Sequence, residues 1–307
     1  MILCVGLSPT VQRTLWFTEP VEPGKVHRAK QAWTTASGKA VNVARMVSQL
    51  DATSHLVHPL GAETGQLVRR LLEADGVAQT VIDTPERPTR VCTTILDGRT
   101  TELVEEAPSL ASSEIERTLE MASELLPLAD LLCFSGSLPV GATIDFLHRI
   151  MNAAETHGVD VLVDAANAPL RAVLEHGPWL AKPNRLEGCA SLGLDPSTPA
   201  DAVARALRDS GARNALVTDG PGEAVLATES GIHRLPSLGV EAFNPIGSGD
   251  AVAAGIAVAR TVHRMPWPEA GRFAIAVGAA NCLSPTSGVV DPNDVTRLFG
   301  PWQGSNS

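Results

Sequence analysis

The sequence predicts an α/β fold with a doubly wound, mostly parallel sheet, helices on both of its faces, and a separate small β-sheet lid. Short β-rich runs alternate with longer stretches whose apolar residues recur at helical spacing, which implies right-handed crossovers onto one sheet. Two segments interrupt this alternation with a strand-like pattern of their own. We assign residues 10–34 and 87–106 to the lid, and residues 1–9, 35–86 and 107–307 to the α/β core.

The predicted elements follow one another along the whole chain. Core strands are expected at residues 2–7, 131–135, 159–164, 179–182 and 215–218. Helices are expected at residues 113–126, 143–157, 199–210, 248–262 and 269–283. In the lid, residues 93–101 are typical of a hairpin around Asp97-Gly98. The tail after Phe299, which contains Gly300, Pro301 and a Gly-Ser-Asn-Ser end, is expected to fray.

Composition excludes several classes of function. The 307 residues suffice for one large α/β unit or two small ones, and 24 basic against 34 acidic residues give a net charge of −10. Because no basic stripe is present, nucleic-acid binding is disfavoured. The five scattered cysteines indicate a reducing compartment, and no apolar stretch reaches membrane-spanning length. We therefore expect a cytoplasmic protein with neither nucleic acid nor membrane as partner.

The strongest local signal is a glycine-rich turn that leads into a helix of small residues. Gly247-Ser248-Gly249-Asp250 would direct backbone N–H groups at a helix N-terminus toward an anion such as phosphate. Asp250 would lie beside that anion, where its carboxylate can accept a proton from an attacking hydroxyl. The alternative is an ordinary turn in which Asp250 only stabilises the first helical turn.

A second polar pair has the spacing of a helix start. Asn184 and Glu187 are three residues apart, so both side chains would share one face of the helix. The same spacing is typical of a capping box, and spacing alone slightly favours that structural role.

Taken in order, these segments resemble the ribokinase-like (PfkB) family of carbohydrate kinases. The turn at Asp250 is similar to the family's G-A-G-D signature. Four further segments fall in the family's order: Ser37-Gly38-Lys39-Ala40-Val41-Asn42-Val43-Ala44-Arg45, Ser135-Gly136-Ser137-Leu138-Pro139, Lys182-Pro183-Asn184-Arg185-Leu186-Glu187 and Thr218-Asp219-Gly220-Pro221-Gly222. They span nearly the whole chain, and their form most resembles the branch of 1-phosphofructokinase and tagatose-6-phosphate kinase.

The resemblance implies transfer of the γ-phosphoryl group of ATP, with Mg²⁺, to a hydroxyl of a phosphosugar such as fructose 1-phosphate or tagatose 6-phosphate. Asp250 would be the base, and the amides of Gly247, Ser248 and Gly249 would hold the charge that develops on the transferring group. Glu187 would organise Mg²⁺. The implied nucleotide contacts are Lys182, Asn184, Thr218, Gly220, Gly222 and Asn281.

The implied phosphosugar contacts are Gln12, Gly38, Lys39, Asn42, Arg90 and Ser137. Lys39 and Arg90 would clamp the phosphate that the substrate already carries, Arg90 in a bidentate manner. Gln12 stands where this branch carries Asp, and Ser37 and Ala40 replace glycines of its Gly-Gly-Lys-Gly segment.

Two alternatives to a phosphosugar kinase stay open. One is a kinase for a non-phosphorylated sugar or nucleoside, and the other is a nucleotide-binding regulatory protein without turnover. The lid strands would present an open edge and an apolar face, so we also expect a homodimer formed through the lid.

Overall fold

The computed structural model describes residues 1–302. The strands are β1 (Ile2–Val5), β2 (Thr10–Trp16), β3 (Gln31–Ser37), β4 (Ser54–Leu60), β5 (Ala78–Asp83), β6 (Val91–Leu96), β7 (Thr100–Val104), β8 (Leu131–Ser135), β9 (Asp160–Asp164), β10 (Leu180–Ala181), β11 (Ala215–Val217), β12 (Ala224–Thr228) and β13 (Gly231–Leu235). The helices are α1 (Lys39–Gln49), α2 (Ala62–Ala74), α3 (Ser112–Leu125), α4 (Ile144–Thr156), α5 (Asn167–Leu174), α6 (Arg185–Leu192), α7 (Ala200–Asp209), α8 (Ser248–Thr261), α9 (Trp267–Leu283) and α10 (Pro292–Phe299).

The main sheet has nine strands in the order β13-β12-β11-β10-β9-β8-β1-β4-β5. The seven strands β11, β10, β9, β8, β1, β4 and β5 pair in parallel with their neighbours in that order, whereas β12 is antiparallel to both of its neighbours. Side chains alternate between two apolar clusters, so that Cys4 points to the face covered by α1, α8 and α9 while Leu3 points to the face covered by α3, α4 and α7. The predicted doubly wound α/β core is confirmed.

The lid is a four-stranded sheet in the order β3-β2-β6-β7. The two predicted lid segments meet where β2 pairs in parallel with β6. The predicted hairpin is confirmed, because β6 and β7 are antiparallel and Gly98 supplies the positive φ of +88° that the turn requires. The sequence placed the lid boundary at residue 34, but β3 keeps its pairing with β2 as far as Ser37.

Two features near the carboxyl end differ from the sequence prediction. Helix α10 follows the last predicted helix, and Trp302, inside the tail expected to fray, is buried. The Trp302 ring lies 5.1 Å from the Phe273 ring, and its indole N–H donates to Thr296 Oγ1 at 3.0 Å. The rest of that predicted tail, residues 303–307, lies outside the described residues. Over residues 1–302, no helix has the length and apolar character to cross a membrane.

Candidate active site

A central cavity of about 410 Å³ opens at the carboxyl ends of β9, β10 and β11, beneath the lid. Ligands of open α/β sheets bind at this edge because the loops that follow the strands converge there. The core contributes the N-terminus of α8 together with Asp164 and Lys182, and the lid contributes Gln12 and Glu102. The cavity therefore brings residues from both sheets to one place.

The start of α8 is arranged to hold an anion. Gly247 has φ of +84°, and a Cβ there would lie 3.1 Å from Ser287 Cβ, so only glycine fits without a shift. The Ser248 N–H donates to Pro245 O at 3.2 Å, which removes it from the three amides implied by the resemblance. The N–H groups of Gly247, Gly249 and Asp250 have no acceptor among residues 1–302. These three N–H groups and the helix dipole favour negative charge at this position.

Asp250 is buried in the first turn of α8, and its Oδ2 accepts a hydrogen bond of 2.7 Å from Asn42 Nδ2. Burial and the nearby carboxylate of Asp164 raise the pKa of Asp250 to about 7, against the opposing influence of Lys39, Asn42 and Lys182. A carboxyl group with a pKa near neutrality suits general base catalysis. Asn42, expected at the substrate, lines the central cavity, is 3% exposed and is bonded to Asp250.

Asp164 is a residue that the sequence analysis did not single out. It is the last residue of β9, and its two carboxylate oxygens lie 3.1 Å from Lys39 Nζ and 3.2 Å from Lys182 Nζ. Burial by itself would raise the pKa of Asp164, but Lys182 and Lys39 together hold that pKa below its usual value. The available signal was an apolar strand ending in a carboxylate at the edge where ligands bind.

The two lysines have different surroundings. Lys182 is almost fully buried, and its Nζ lies 3.6 Å from where a Cβ on Gly249 would be, which places it beside the unpaired amides of α8. Lys39 is 37% exposed, and Asp164 is the main cause that raises the pKa of its amine. The phosphate clamp expected at Lys39 is thus occupied by a carboxylate in this structure.

Asn184 and Glu187 form the capping box that spacing alone favoured. Asn184 Oδ1 accepts from the Glu187 N–H at 2.8 Å, and Glu187 Oε2 accepts from the Asn184 N–H at 2.9 Å. Both residues also line the central cavity, and Glu187 Oε1 lies 3.6 Å from Lys39 Nζ. The cap therefore fixes a carboxylate at the cavity wall, so the structural and functional interpretations are compatible.

A side cavity of about 480 Å³ adjoins the central cavity across Thr218 and Gly249. The predicted nucleotide residues Thr218, Gly220 and Gly222 line it, and its opposite wall is largely apolar, with residues Leu238, Val240, Ala242, Val252, Ile275 and Ala279. A flat, partly apolar ring would fit this wall, whereas polar groups would face the glycine loop.

Asn281 corrects one expectation. Its side chain is fully buried, its Nδ2 donates to Ile246 O at 2.9 Å, and its Oδ1 accepts from the Gly288 N–H at 3.1 Å. Asn281 therefore fixes the turn before α8 and does not line the side cavity, because both ends of its amide are used inside the protein.

A front cavity of about 730 Å³ contains Ser137, Gly38 and Arg90, with Lys39 and Glu187 on the wall that it shares with the central cavity. A Cβ on Gly38 would lie 2.9 Å from Ser8 O, so the backbone can pass here only as glycine. Ser137 Oγ lies 3.4 Å from Ser8 Oγ. Ser137 thus reaches only the front cavity, whereas Gly38 and Arg90 line both.

The lid residues have unequal freedom to bind a ligand. Gln12 Nε2 already donates to Thr94 Oγ1 at 2.8 Å. Arg90 donates from its two terminal nitrogens to Glu105 O and Ser8 O, while its buried Nε has no partner in the described chain. Glu102, which the sequence analysis missed, lines the central cavity without a hydrogen bond or ion pair among residues 1–302, and burial raises its pKa. Arg90 and Glu102 therefore retain unused polar groups.

A helix N-terminus with unpaired N–H groups beside a buried carboxyl, under a lid and on a doubly wound sheet, is the arrangement expected of a small-molecule kinase of the ribokinase-like class. The chain matches the model of the pfkB family of carbohydrate kinases over residues 1–293, and it belongs to that family. The expectation of a carbohydrate kinase is therefore confirmed.

Individual relatives agree with this assignment. The chain is 36% identical to the 1-phosphofructokinase of Haloferax volcanii over 264 residues, which cover 85% of this chain and 84% of that protein. A solved structure of the tetrameric inhibited form of phosphofructokinase-2 from Escherichia coli is similar with a TM-score of 0.86, at 24% identity and 97% coverage of both chains. That of a possible 1-phosphofructokinase from Thermotoga maritima gives 0.88, at 20% identity and 97% coverage of both chains. The two solved structures establish the shared fold.

Proposed function

We propose that this carbohydrate kinase transfers the γ-phosphoryl group of ATP to a hydroxyl of fructose 1-phosphate. The observation that carries the transfer chemistry is the buried Asp250 carboxyl, with a pKa of about 7, next to the unpaired amides of α8. The choice of substrate is supported by the 36% identity to a 1-phosphofructokinase. Arg90 supports a substrate with its own phosphate, because it is a cationic side chain that lines both the central and the front cavity.

In this proposal the acceptor hydroxyl lies against Asp250, which orients it and takes its proton as the phosphoryl group transfers. Phosphoryl transfer depends mainly on positioning and on stabilising charge, so a carboxylate of modest basicity is sufficient. The amides of Gly247, Gly249 and Asp250 stabilise negative charge on the transferring group, with the Lys182 ammonium beside them. Below a pH of about 7 Asp250 is protonated, and it then no longer accepts the proton.

The nucleotide would occupy the side cavity, with its base on the apolar wall and its phosphates toward α8. Thr218, Gly220 and Gly222 would contact it from the glycine loop, and Lys182 and Asn184 from the wall shared with the central cavity. This division follows from the polarity of the walls, since phosphates require N–H groups and cations.

We assign the divalent metal as Mg²⁺, held through Glu187. Over residues 1–302, no group of three or more His, Cys, Asp or Glu side chains is arranged to hold a metal ion, and Asp164 is engaged by two lysines. One carboxylate at the cavity wall fits Mg²⁺, which retains several waters and takes its other ligands from phosphate oxygens. When bound, Mg²⁺ would neutralise charge on the phosphates.

The test of this function is the release of ADP by purified protein with Mg²⁺ and ATP. The substrates are fructose 1-phosphate, tagatose 6-phosphate, free fructose and a nucleoside. We expect the highest kcat/KM for fructose 1-phosphate. A preference for free fructose or the nucleoside would contradict the phosphosugar proposal, and ATP binding without turnover on any substrate would favour the regulatory alternative.

We further propose a homodimer formed through the lid. Strands β3 and β7 are the open edges of the lid sheet, and β7 exposes Leu103 at 56% and Val104 at 57%. Sedimentation at micromolar concentration tests this proposal, with Leu103→Asp expected to shift a dimer to monomer. A wild-type monomer would contradict it. The predicted cytoplasmic location is a separate proposal. Localisation of the tagged protein in cells would test it.

A further inference from the structure

Two hydrogen bonds connect the root of the lid to Asp250, and a third joins the lid root to Ser287. Ser37, the last residue of β3, donates from Oγ to Asn42 Oδ1 at 3.0 Å. Asn42 Nδ2 in turn donates to Asp250 Oδ2 at 2.7 Å, and Ser287 Oγ lies 3.2 Å from Ser37 Oγ. All four residues are buried, so water does not compete for these bonds.

The direction of this chain of bonds depends on the Asn42 amide. An ionised carboxylate only accepts hydrogen bonds, so Asn42 must present its NH₂ group to Asp250. If the amide turned over, its carbonyl oxygen would face the carboxylate, and two acceptors would oppose each other. The Ser37 hydroxyl opposes this turn, because it donates to the amide oxygen on the far side and that hydrogen bond would be broken.

The surroundings hold both ends of this arrangement. A Cβ on Gly288 would lie 2.5 Å from Asn42 Oδ1, so the backbone closes tightly on the amide. Arg45 Nη1 donates to Ala36 O at 3.0 Å and to Ser287 O at 3.1 Å, which ties the end of β3 to the loop that carries Ser287. The position of the lid strand therefore sets the position of the Ser37 hydroxyl.

We propose that Ser37 is a positioning residue that locks the Asn42 amide in the orientation required by the ionised Asp250, and so couples the root of the lid to the catalytic base. This inference rests on the proposed function, in which Asp250 accepts the proton.

The charged groups that face Asp250 are unchanged by a substitution at Ser37. They are Asp164 at the end of β9, Lys39 at the start of α1 and Lys182 after β10. Removal of the Ser37 hydroxyl frees the amide to turn over, and the turned amide favours the protonated form of Asp250, which can donate to Oδ1. The expected consequence is a base that needs a higher pH to ionise.

The experiment compares Ser37→Ala and Ser37→Gly, which lack the hydroxyl, with Ser37→Thr, which retains it. Ser48→Ala is the matched control. Ser48 lies on α1, the helix that carries Asn42, and its hydroxyl forms hydrogen bonds with Ala44 O and Ser54 Oγ, away from Asp250. The kinetics of fructose 1-phosphate phosphorylation are measured from about pH 5.5 to about pH 9, across the ionisation of Asp250.

For Ser37→Ala and Ser37→Gly we expect the acid limb of kcat to move up by roughly half to one pH unit, so that kcat falls about 3- to 10-fold near pH 6 and recovers above pH 8. The KM for sugar should change less than about twofold. Ser37→Thr and Ser48→Ala should keep the wild-type profile. An unshifted acid limb in both hydroxyl-free variants, or an equal loss of kcat at every pH, would overturn the proposal.

A second measurement separates this inference from the proposed function. In protein labelled with ¹³C-aspartate, the carboxyl resonance that disappears in Asp250→Asn identifies Asp250, and its titration requires no sugar substrate. A raised titration midpoint in Ser37→Ala and Ser37→Gly supports the positioning role even if fructose 1-phosphate proves not to be the substrate. An unchanged midpoint in both variants contradicts it.

Discussion

The two ends of the candidate active site are built differently. In the proposed function, the transfer end consists of the α8 N-terminus, Asp164, Lys182 and Asp250; it belongs to the core, and the three charged side chains are buried. The sugar end, which consists of Gln12, Arg90, Glu102 and Ser137, is mainly carried by the lid and contains polar groups without partners. The transfer end is thus fixed before substrate arrives, whereas the sugar end can change its residues without disturbing the core.

The difference has an energetic origin. Asp164 and Lys182 are each almost fully buried, and such charges are tolerated only when they are paired. Any substitution at one of them leaves a charge without its partner. A lid residue such as Arg90 is bonded to backbone carbonyls, which remain whatever side chain faces the ligand. We therefore expect variants of the transfer end to alter kcat and stability, and variants of the sugar end to alter KM.

The largest effect is expected for Asp250→Asn, which keeps the shape of the side chain and removes its basicity. The kcat should fall by about two to four decades while the Kd for ATP stays nearly unchanged. Folding raises the pKa of Asp250 from 3.8 to about 7, so its ionisation destabilises the native state as the pH rises between those values, and the loss persists at higher pH. Asp250→Asn should therefore be at least as stable as wild type at pH 8 by thermal unfolding. A kcat near the wild-type value would eliminate Asp250 as the base.

The next effect is expected for Lys182→Met, which leaves Asp164 with only the half-exposed Lys39. The free energy of unfolding should fall by about 3–5 kcal/mol, since one partner of a buried ion pair is lost, and kcat should fall with it. Denaturant unfolding at neutral pH measures this change. The control is Arg213→Met, which removes an exposed ion pair with Asp160. Asp160 is the first residue of β9, the strand that ends at Asp164, and this variant should change stability little. Equal losses in the free energy of unfolding of the two variants would contradict the expected difference between the buried and the exposed ion pair.

A smaller effect is expected for Arg90→Ala at the sugar end. The KM for fructose 1-phosphate should rise by roughly one to two decades, with kcat and stability close to wild type, because a charge-assisted contact to phosphate is lost. The KM for a non-phosphorylated analogue should change far less. Arg99→Ala, an exposed arginine on the hairpin of the lid, is the matched control. If both substrates responded equally, Arg90 would have no role in reading the phosphate.

The smallest effect is expected for Glu102→Gln. Glu102 is a carboxylate on the inner face of the lid, where the neutral Gln12 stands in place of the branch's Asp. We expect the sugar KM to rise about threefold with kcat unchanged, because one hydrogen bond from a sugar hydroxyl to a charged acceptor is weakened. Steady-state kinetics measure the effect, with Glu106→Gln, a substitution of an exposed glutamate, as the control. No difference between the two variants would exclude a sugar contact at Glu102.

The sequence predicted the repeating elements and the transfer motif because both are local patterns. Residues 131–135 form β8 as expected, and Asp250 follows a turn in which Gly247 adopts the positive φ that favours glycine. The strand pattern likewise predicted the hairpin at Gly98. Local patterns of this kind carry their structure within a few residues, which a single sequence displays directly.

Long-range contacts could not be predicted in the same way. Asn42 and Asn281 were expected at ligands, yet each donates its amide N–H inside the protein to a residue about 200 or 35 positions away, Asp250 and Ile246 respectively. Asp164 was missed because nothing in its neighbours shows that two lysines from other elements converge on it. The type of a polar residue suggests chemistry, but only the fold shows whether its hydrogen-bonding groups are free.

The role of Asp250 as the base can be measured through the pH dependence of kcat/KM for fructose 1-phosphate. We expect activity to fall as the pH drops below about 7, with the slope of one ionising group, because protonated Asp250 cannot accept the hydroxyl proton. The same limb should be absent from the residual activity of Asp250→Asn. A wild-type rate that stays constant down to about pH 5, or an identical acid limb in Asp250→Asn, would show that a different group governs the transfer.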